Sequence, residues 1–186
     1  MPNMRGVVAE QEVALGLQML TEDRPLWHCK FPDKRAYTGG WDKYKVTCPK
    51  CQHRFEWTSP FIPPAAPADF VVVTPHVAAL LEIKSGRLAN FPIRHISEKP
   101  HQIAASREIA QVSPIGRGFY IIIKRYQLPI RGWALTGDQI SKLVAEAETQ
   151  SRWSCPWGDI ESLGKELRRF TVKSGVSYFD LGELLK

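Results

Sequence analysis

Hydrophobic positions along this chain change period several times, and each change marks an element. Over residues 7–20, Val7, Val8, Val13, Ala14, Leu17, Met19 and Leu20 approximate a helical stripe. Residues 26–58 have no such period; they are rich in aromatic and basic residues and hold three of the four cysteines. Pro60, Pro63, Pro64 and Pro67, set among alanines, predict a stiff connector rather than a regular element. Phe70-Val71-Val72-Val73 predicts a strand. The next stretch admits two readings. Thr74-Pro75 has the residue types that cap and start a helix. Alternatively Pro75-His76 is a hairpin tip and Val77 to Lys84 the return strand. The strict alternation of Glu82 and Lys84 with Leu81 and Ile83 favours the hairpin.

Ser97 to Val112 reads as a helix in which Pro100 is tolerable only near the start. Gly118 to Tyr126 reads as a strand with an apolar centre, Tyr120-Ile121-Ile122-Ile123, and Gly132 to Leu135 as its hairpin partner. Thr136-Gly137-Asp138-Gln139 is a capping box opening a helix that buries Ile140, Leu143 and Val144. Asp159 is expected to cap a further helix carrying Ile160, Leu163 and Leu167 on one side. Phe170 to Leu185 suggests a short strand pair turning at Ser174-Gly175, then a frayed helical turn. Helix, hairpin, helix, hairpin, helix is the order of an α/β protein with a mixed central sheet flanked by helices. The expected organisation is a single domain over 1–186 with an insert at 26–58.

Composition narrows the class. With 44% apolar and 24% charged residues, the 186-residue chain suits a folded domain rather than a disordered one. No apolar run approaches the roughly 18–20 residues that span a bilayer. The N-terminal residues resemble neither a signal nor a transit peptide, so the expected location is the cytoplasm, with no membrane partner. Charge is uneven: residues 28–57 carry +4 and 84–131 carry +7, flanking an acidic-leaning 58–83 at −2. Such a field favours a polyanion, nucleic acid first.

Phosphodiester hydrolysis needs a metal to polarise the phosphate and activate a water. Magnesium takes hard oxygen ligands, so one or two carboxylates on rigid elements suffice. Asp69, at the mouth of one strand, and Glu82, near the end of the next, can converge if those strands are antiparallel neighbours. Lys84 shares a face with Glu82 and could hold the water or offset transition-state charge.

This spacing resembles the Asp…Glu-x-Lys signature of the PD-(D/E)xK nuclease superfamily. Asp69 to Val73, Leu80 to Gly86, Phe91-Pro92-Ile93, His101-Gln102 and Gly118 to Ile123 together are similar to the RecU-type Holliday-junction resolvases. Arg5-Gly6 with Glu10 resembles that family's first-helix motif, with Glu12 a competing candidate. The resemblance implies a restriction-endonuclease-like fold in which Asp69 and Glu82 bind Mg²⁺, Lys84 acts on the water and Glu10 shares the pocket. It implies that Gln102 positions the water or phosphate and that Arg87, Arg94 and Lys99, next to the site in sequence, hold the DNA backbone; His101 is read as a packing or phosphate-contacting residue. A homodimer cutting branched DNA symmetrically is implied as well. A phage or mobile-element nuclease of the same fold acting on other DNA has the same site chemistry.

Cys48-Pro49-Lys50-Cys51 resembles the second knuckle of a zinc ribbon. A regular ribbon has another Cys-x-x-Cys some 15–20 residues earlier, but only His28-Cys29 stands upstream here. Cys29 is the third candidate ligand, and His53, His28 or Cys155 the fourth, with His53 preferred. Bound zinc would be structural, stiffening a basic insert. A non-catalytic zinc-ribbon protein that binds DNA or a partner is the competing class of function. It gains support if residues 75–84 are helical, because Asp69 and Glu82 would then diverge.

Overall fold

A computed structural model describes residues 4–31, 43–47, 54–58 and 66–186. The chain divides into two units: one made of residues 1–31 and 67–186, the other of residues 32–66. Within the second, β2 (Lys43–Thr47) and β3 (Arg54–Thr58) form an antiparallel pair. The first strand, β1 (Trp27–Lys30), was expected in the insert but belongs to the main sheet, as an edge strand on β4 (Phe70–Val73). The insert therefore begins later than residue 26.

The main unit is a mixed α/β structure. Its six-stranded sheet runs β1, β4, β5 (Ala78–Gly86), β7 (Gly116–Lys124), β8 (Arg131–Thr136), β10 (Lys165–Leu167). All neighbours are antiparallel except β5 and β7, which are parallel and need a crossover. The crossover carries the two-residue β6 (Asn90–Phe91), α2 (Arg94–Ser97) and α3 (Pro100–Val112). β6 pairs with β9 (Cys155–Pro156), and β11 (Arg169–Thr171) with β12 (Ser177–Phe179).

Residues 74–84 form the hairpin. Thr74 does use its hydroxyl as a cap, but on a turn: Oγ1 accepts from His76 N (3.2 Å) and Val77 N (2.9 Å), while Thr74 N donates to Val77 O. The chemistry that would have started a helix instead reverses the chain. The helix predicted from Ser97 to Val112 begins at Pro100 as α3, Ser97 being the last residue of α2; Pro100 stands at the start of α3, where its missing N–H costs nothing.

Strand alternation divides the core into two faces. Leu81, Ile83, Phe70, Val72, Ile121 and Ile123 pack with Ala9, Val13 and Leu17 of α1 (Met4–Asp23) and with Phe179. Tyr120, Ile122, Trp133 and Leu135 pack on the other side with Ile140, Leu143 and Val144 of α4 (Gly137–Thr149) and with Trp157 and Ile160 of α5 (Trp157–Leu163). α4 opens with the expected capping box: Gln139 N donates to Thr136 Oγ1 and Thr136 N to Gln139 Oε1 (2.7 Å). Asp159 does not cap α5; Pro156 holds that position and Asp159 lies in the first turn, where its charge suits the helix dipole. Leu167 is not on that helix either, because Gly164 ends it and β10 takes Leu167 to β8. The C-terminal strand pair turns at Gly175, whose φ of 83° is the left-handed region glycine enters freely. Among the described residues, no helix is long and apolar enough to cross a membrane.

α3 sits directly on β7 because two glycines leave room. A Cβ on Gly118 would lie 2.0 Å from Ser106 O, and one on Gly116 1.8 Å from Ile109 O. Gly118→Ala is expected to destabilise the protein by about 3 kcal/mol, since backbone must move. Gly158→Ala, in α5 with nothing within 4 Å, is expected to stabilise it by about 0.5 kcal/mol. Denaturant unfolding of both variants checks the pair; equal effects would show that α3 has slack over the sheet.

Candidate active site

Asp69 is fixed from three directions. Its N–H donates to Leu81 O (3.0 Å), its carbonyl accepts from Phe31 N (2.8 Å), and Oδ2 accepts from Ile83 N (2.7 Å). The side chain thus takes a backbone donor of β5 next to Glu82. Because Phe70 and Val72 face the α1 side, alternation sends Asp69 to the opposite face. Glu82 and Lys84 share that face for the same reason, between inward-facing Leu81 and Ile83. The carboxylates therefore stand on adjacent antiparallel strands and act on each other electrostatically.

Glu82 is 2% exposed. A charge so buried must be paired, and both oxygens are engaged: Lys84 Nζ donates to Oε1 and Gln102 Nε2 to Oε2 (2.8 Å). Gln102 projects from the first turn of α3, and its own Oε1 is buried with no hydrogen-bond partner among the described residues. His101, its neighbour, points to solvent. Burial, and next the charge of Glu82, push the Asp69 carboxyl up to about 7, against the Ile83 N–H and Lys84; Glu10 pushes it further the same way.

The structure separates the two candidate glutamates of α1. Glu10 pairs with Lys30 at 2.5 Å and its charge bears on Asp69. Glu12 is buried on the other side of the question: it accepts from Arg125 and, at 2.8 Å, from Arg169, a structural ion triad. Lys99, expected only to grip DNA backbone, stands beside Lys84; burial and then Lys84 hold its ammonium below the ordinary lysine range. Arg87 and Arg94 are exposed, after β5 and on α2.

Two site residues escaped the sequence reading. Tyr120 lies opposite Glu82 in the parallel register, fully buried, with a hydroxyl that finds no partner among the described residues. Burial, Glu82 and Asp69 all raise its pKa. In sequence it reads as one more apolar strand residue, and only the β5–β7 register would have shown it beside an acid. His95 is held below its usual pKa by burial, then by Arg94, with Lys84 and Lys99 adding to the effect against Glu98.

Of the zinc ligands expected, Cys48, Cys51 and His53 lie outside the described residues. Cys29 sits on β1, half-buried, donating to Lys30 O at 3.5 Å, with its thiol raised by burial. His28 beside it is lowered by burial. Cys155 is buried in the second core, its thiol pushed up to about 12 by burial and Asp159. Among the described residues, no group of three or more His, Cys, Asp or Glu is placed to hold a metal ion. The oxygen donors at hand are the Asp69 and Glu82 carboxylates, with Glu10 nearby.

A carboxyl whose folded pKa lies above its unfolded value binds protons more tightly in the fold. Its contribution is present below about pH 4 and is lost as pH rises to about 7. The metal-free protein is thus expected to lose stability across that window. Asp69→Asn keeps an acceptor for Ile83 N and removes the charge. It is expected to stabilise the metal-free protein at pH 8 by about 2 kcal/mol, after discounting for partial exposure to water, and to leave it unchanged at pH 4. Thermal unfolding in EDTA at both pH values decides it; equal shifts at both would show that the effect is not electrostatic.

No protein-family model matches this chain, and no curated protein matches it.

Proposed function

We propose that this protein is a magnesium-dependent endodeoxyribonuclease with a restriction-endonuclease-like fold, most similar to the Holliday-junction resolvases and acting on branched DNA as a homodimer. The observation that carries this reading is the pair Asp69 and Glu82 on adjacent strands, with Lys84, Lys99 and Gln102 around them.

The donor set suits magnesium. Two carboxylates on rigid strands meet its need for a few hard oxygens, the rest of its shell being water and phosphate. Burial, and next the charge of Glu82, raise the Asp69 pKa, and a dication between the two carboxylates would offset both. When bound, magnesium would polarise the phosphodiester and lower the pKa of the attacking water.

The chain's own groups supply the rest. Gln102 spends its amide N–H on Glu82 and keeps a buried acceptor oxygen that can take a hydrogen bond from the attacking water. Lys84 now rests on Glu82; turned toward substrate, its ammonium offsets negative charge building on the phosphate. Lys99 adds a second cation beside it. Arg87 and Arg94, exposed, hold flanking phosphates.

Cutting of a synthetic four-way junction in Mg²⁺ is expected to fall on the order of a thousandfold in Asp69→Ala and in Glu82→Ala. Unchanged cutting by both variants would place the activity elsewhere. Linear duplex and flap substrates run in parallel test the branch preference, which equal rates on all three would reject.

The Cys48-Pro49-Lys50-Cys51 spacing supports a structural zinc site that uses both thiolates. Purified protein is expected to carry one zinc per chain, lost in Cys48→Ser. A zinc-free wild type would remove the proposal.

A further inference from the structure

A groove of about 330 Å³ lies on the second face of the main unit, between α2 and the C-terminal end of α4. Asp69, Glu82, Lys84 and Gln102 do not line it. Its floor is apolar, from Ile93, Val144 and Ala147, and its rim holds Arg94, Arg152 and Trp153, with Glu148 its one acid.

Trp153 is 76% exposed, in a protein whose Trp133 and Trp157 are buried. Its presentation is fixed by backbone. α4 ends in a turn where Ser151 N donates to Glu148 O (2.9 Å) and Arg152 N to Ala147 O (2.8 Å), with Ser151 at φ 51°. A serine in the left-handed region costs about 1 kcal/mol or more, so local hydrogen bonds must hold the chain there. The result is an exposed indole on an ordered turn, lining one groove with the guanidinium groups of Arg94 and Arg152. A flat apolar ring beside paired cations is how proteins hold an unstacked base and the phosphates on either side of it.

The size argues the same way. A volume at the low end of the ligand-pocket range takes one small unit, not a duplex. α2 also links the groove to the lysines beside the acidic pair. Arg94 and Ser97 line the groove, while His95 between them feels the charges of Lys84 and Lys99.

We propose that this groove binds one unpaired nucleotide of single-stranded DNA, its base stacked on Trp153 and its phosphates on Arg94 and Arg152. The choice of DNA rests on the nuclease reading; the stacking site rests on the groove. A substrate with a single-stranded arm or an unpaired base at its branch would then enter with that strand on α2, and its next phosphates would lie toward Lys99 and Lys84.

Binding of fluorescein-labelled oligo-dT and of a paired duplex, followed by anisotropy in EDTA at fixed salt, tests this without any need for cutting. Trp153→Ala is expected to weaken oligo-dT binding about tenfold and duplex binding less than about twofold, with Trp153→Phe close to wild type. Arg152→Ala is expected to weaken oligo-dT binding by about fivefold. Both positions are exposed, and matching thermal melts establish that the variants fold. Wild-type failure to bind oligo-dT, or equal loss on both DNAs, would overturn the proposal. Junction cutting measured alongside separates the two ideas. An uncut junction with selective loss in Trp153→Ala removes the nuclease and keeps the groove. Normal cutting with unaffected oligo-dT binding in Trp153→Ala does the reverse.

Discussion

The hydrogen bond from Ile83 N to Asp69 Oδ2 is the constraint on which the candidate site depends. A backbone donor at this position would ordinarily be taken by a neighbouring strand. Here the neighbouring strand β4 begins only at Phe70, and a carboxylate is used in place of a carbonyl. The bond closes the sheet locally and fixes Asp69 against the strand that bears Glu82. Two like charges are thus held together by the same ladder that holds the protein together. Their repulsion is carried by the fold, through the hairpin turn at Thr74 and the register between β4 and β5.

Around this pair the molecule distributes cations with some economy. Lys84 and Lys99 lie on the acidic side, and Lys30 meets Glu10. Arg125 and Arg169 are committed to Glu12 and take no part. The basic residues behind the +7 over residues 84–131 are therefore used in different ways: Lys84 and Arg125 meet the buried Glu82 and Glu12, Arg107, Lys124 and Arg131 pair with less buried acids, and Arg87 and Arg94 are exposed.

Much of this was legible in sequence where the signal was local. The Phe70 to Val73 strand, the alternation through Lys84, and the Thr136 capping box each follow from nearest neighbours, and each is present. Ambiguity arose where one local chemistry serves two structures, as with Thr74, whose hydroxyl caps a turn as readily as a helix. Errors arose where a breaker was underweighted: Pro156 displaces Asp159 from the cap, and Gly164 ends α5 before Leu167. What could not be read was non-local. Tyr120 faces Glu82 through a parallel register set 38 residues apart, and nothing within either strand encodes that distance. That Glu12 pairs with Arg125 and Arg169 while the charge of Glu10 bears on Asp69 was likewise non-local.

Gln102 and Ser106 are one turn apart on the same side of α3, and both are buried. Ser106 rests on the bare backbone of Gly118, so the depth at which the helix lies is set by a methyl group that is not there. The amide of Gln102 rides on that depth and meets Glu82 at 2.8 Å. A hydrogen bond is sensitive to a few tenths of an ångström, whereas a greasy interface between helix and sheet is not. The glycine converts the second kind of contact into the first: it acts as a gauge block, giving a soft packing surface the tolerance of a polar site one helical turn away.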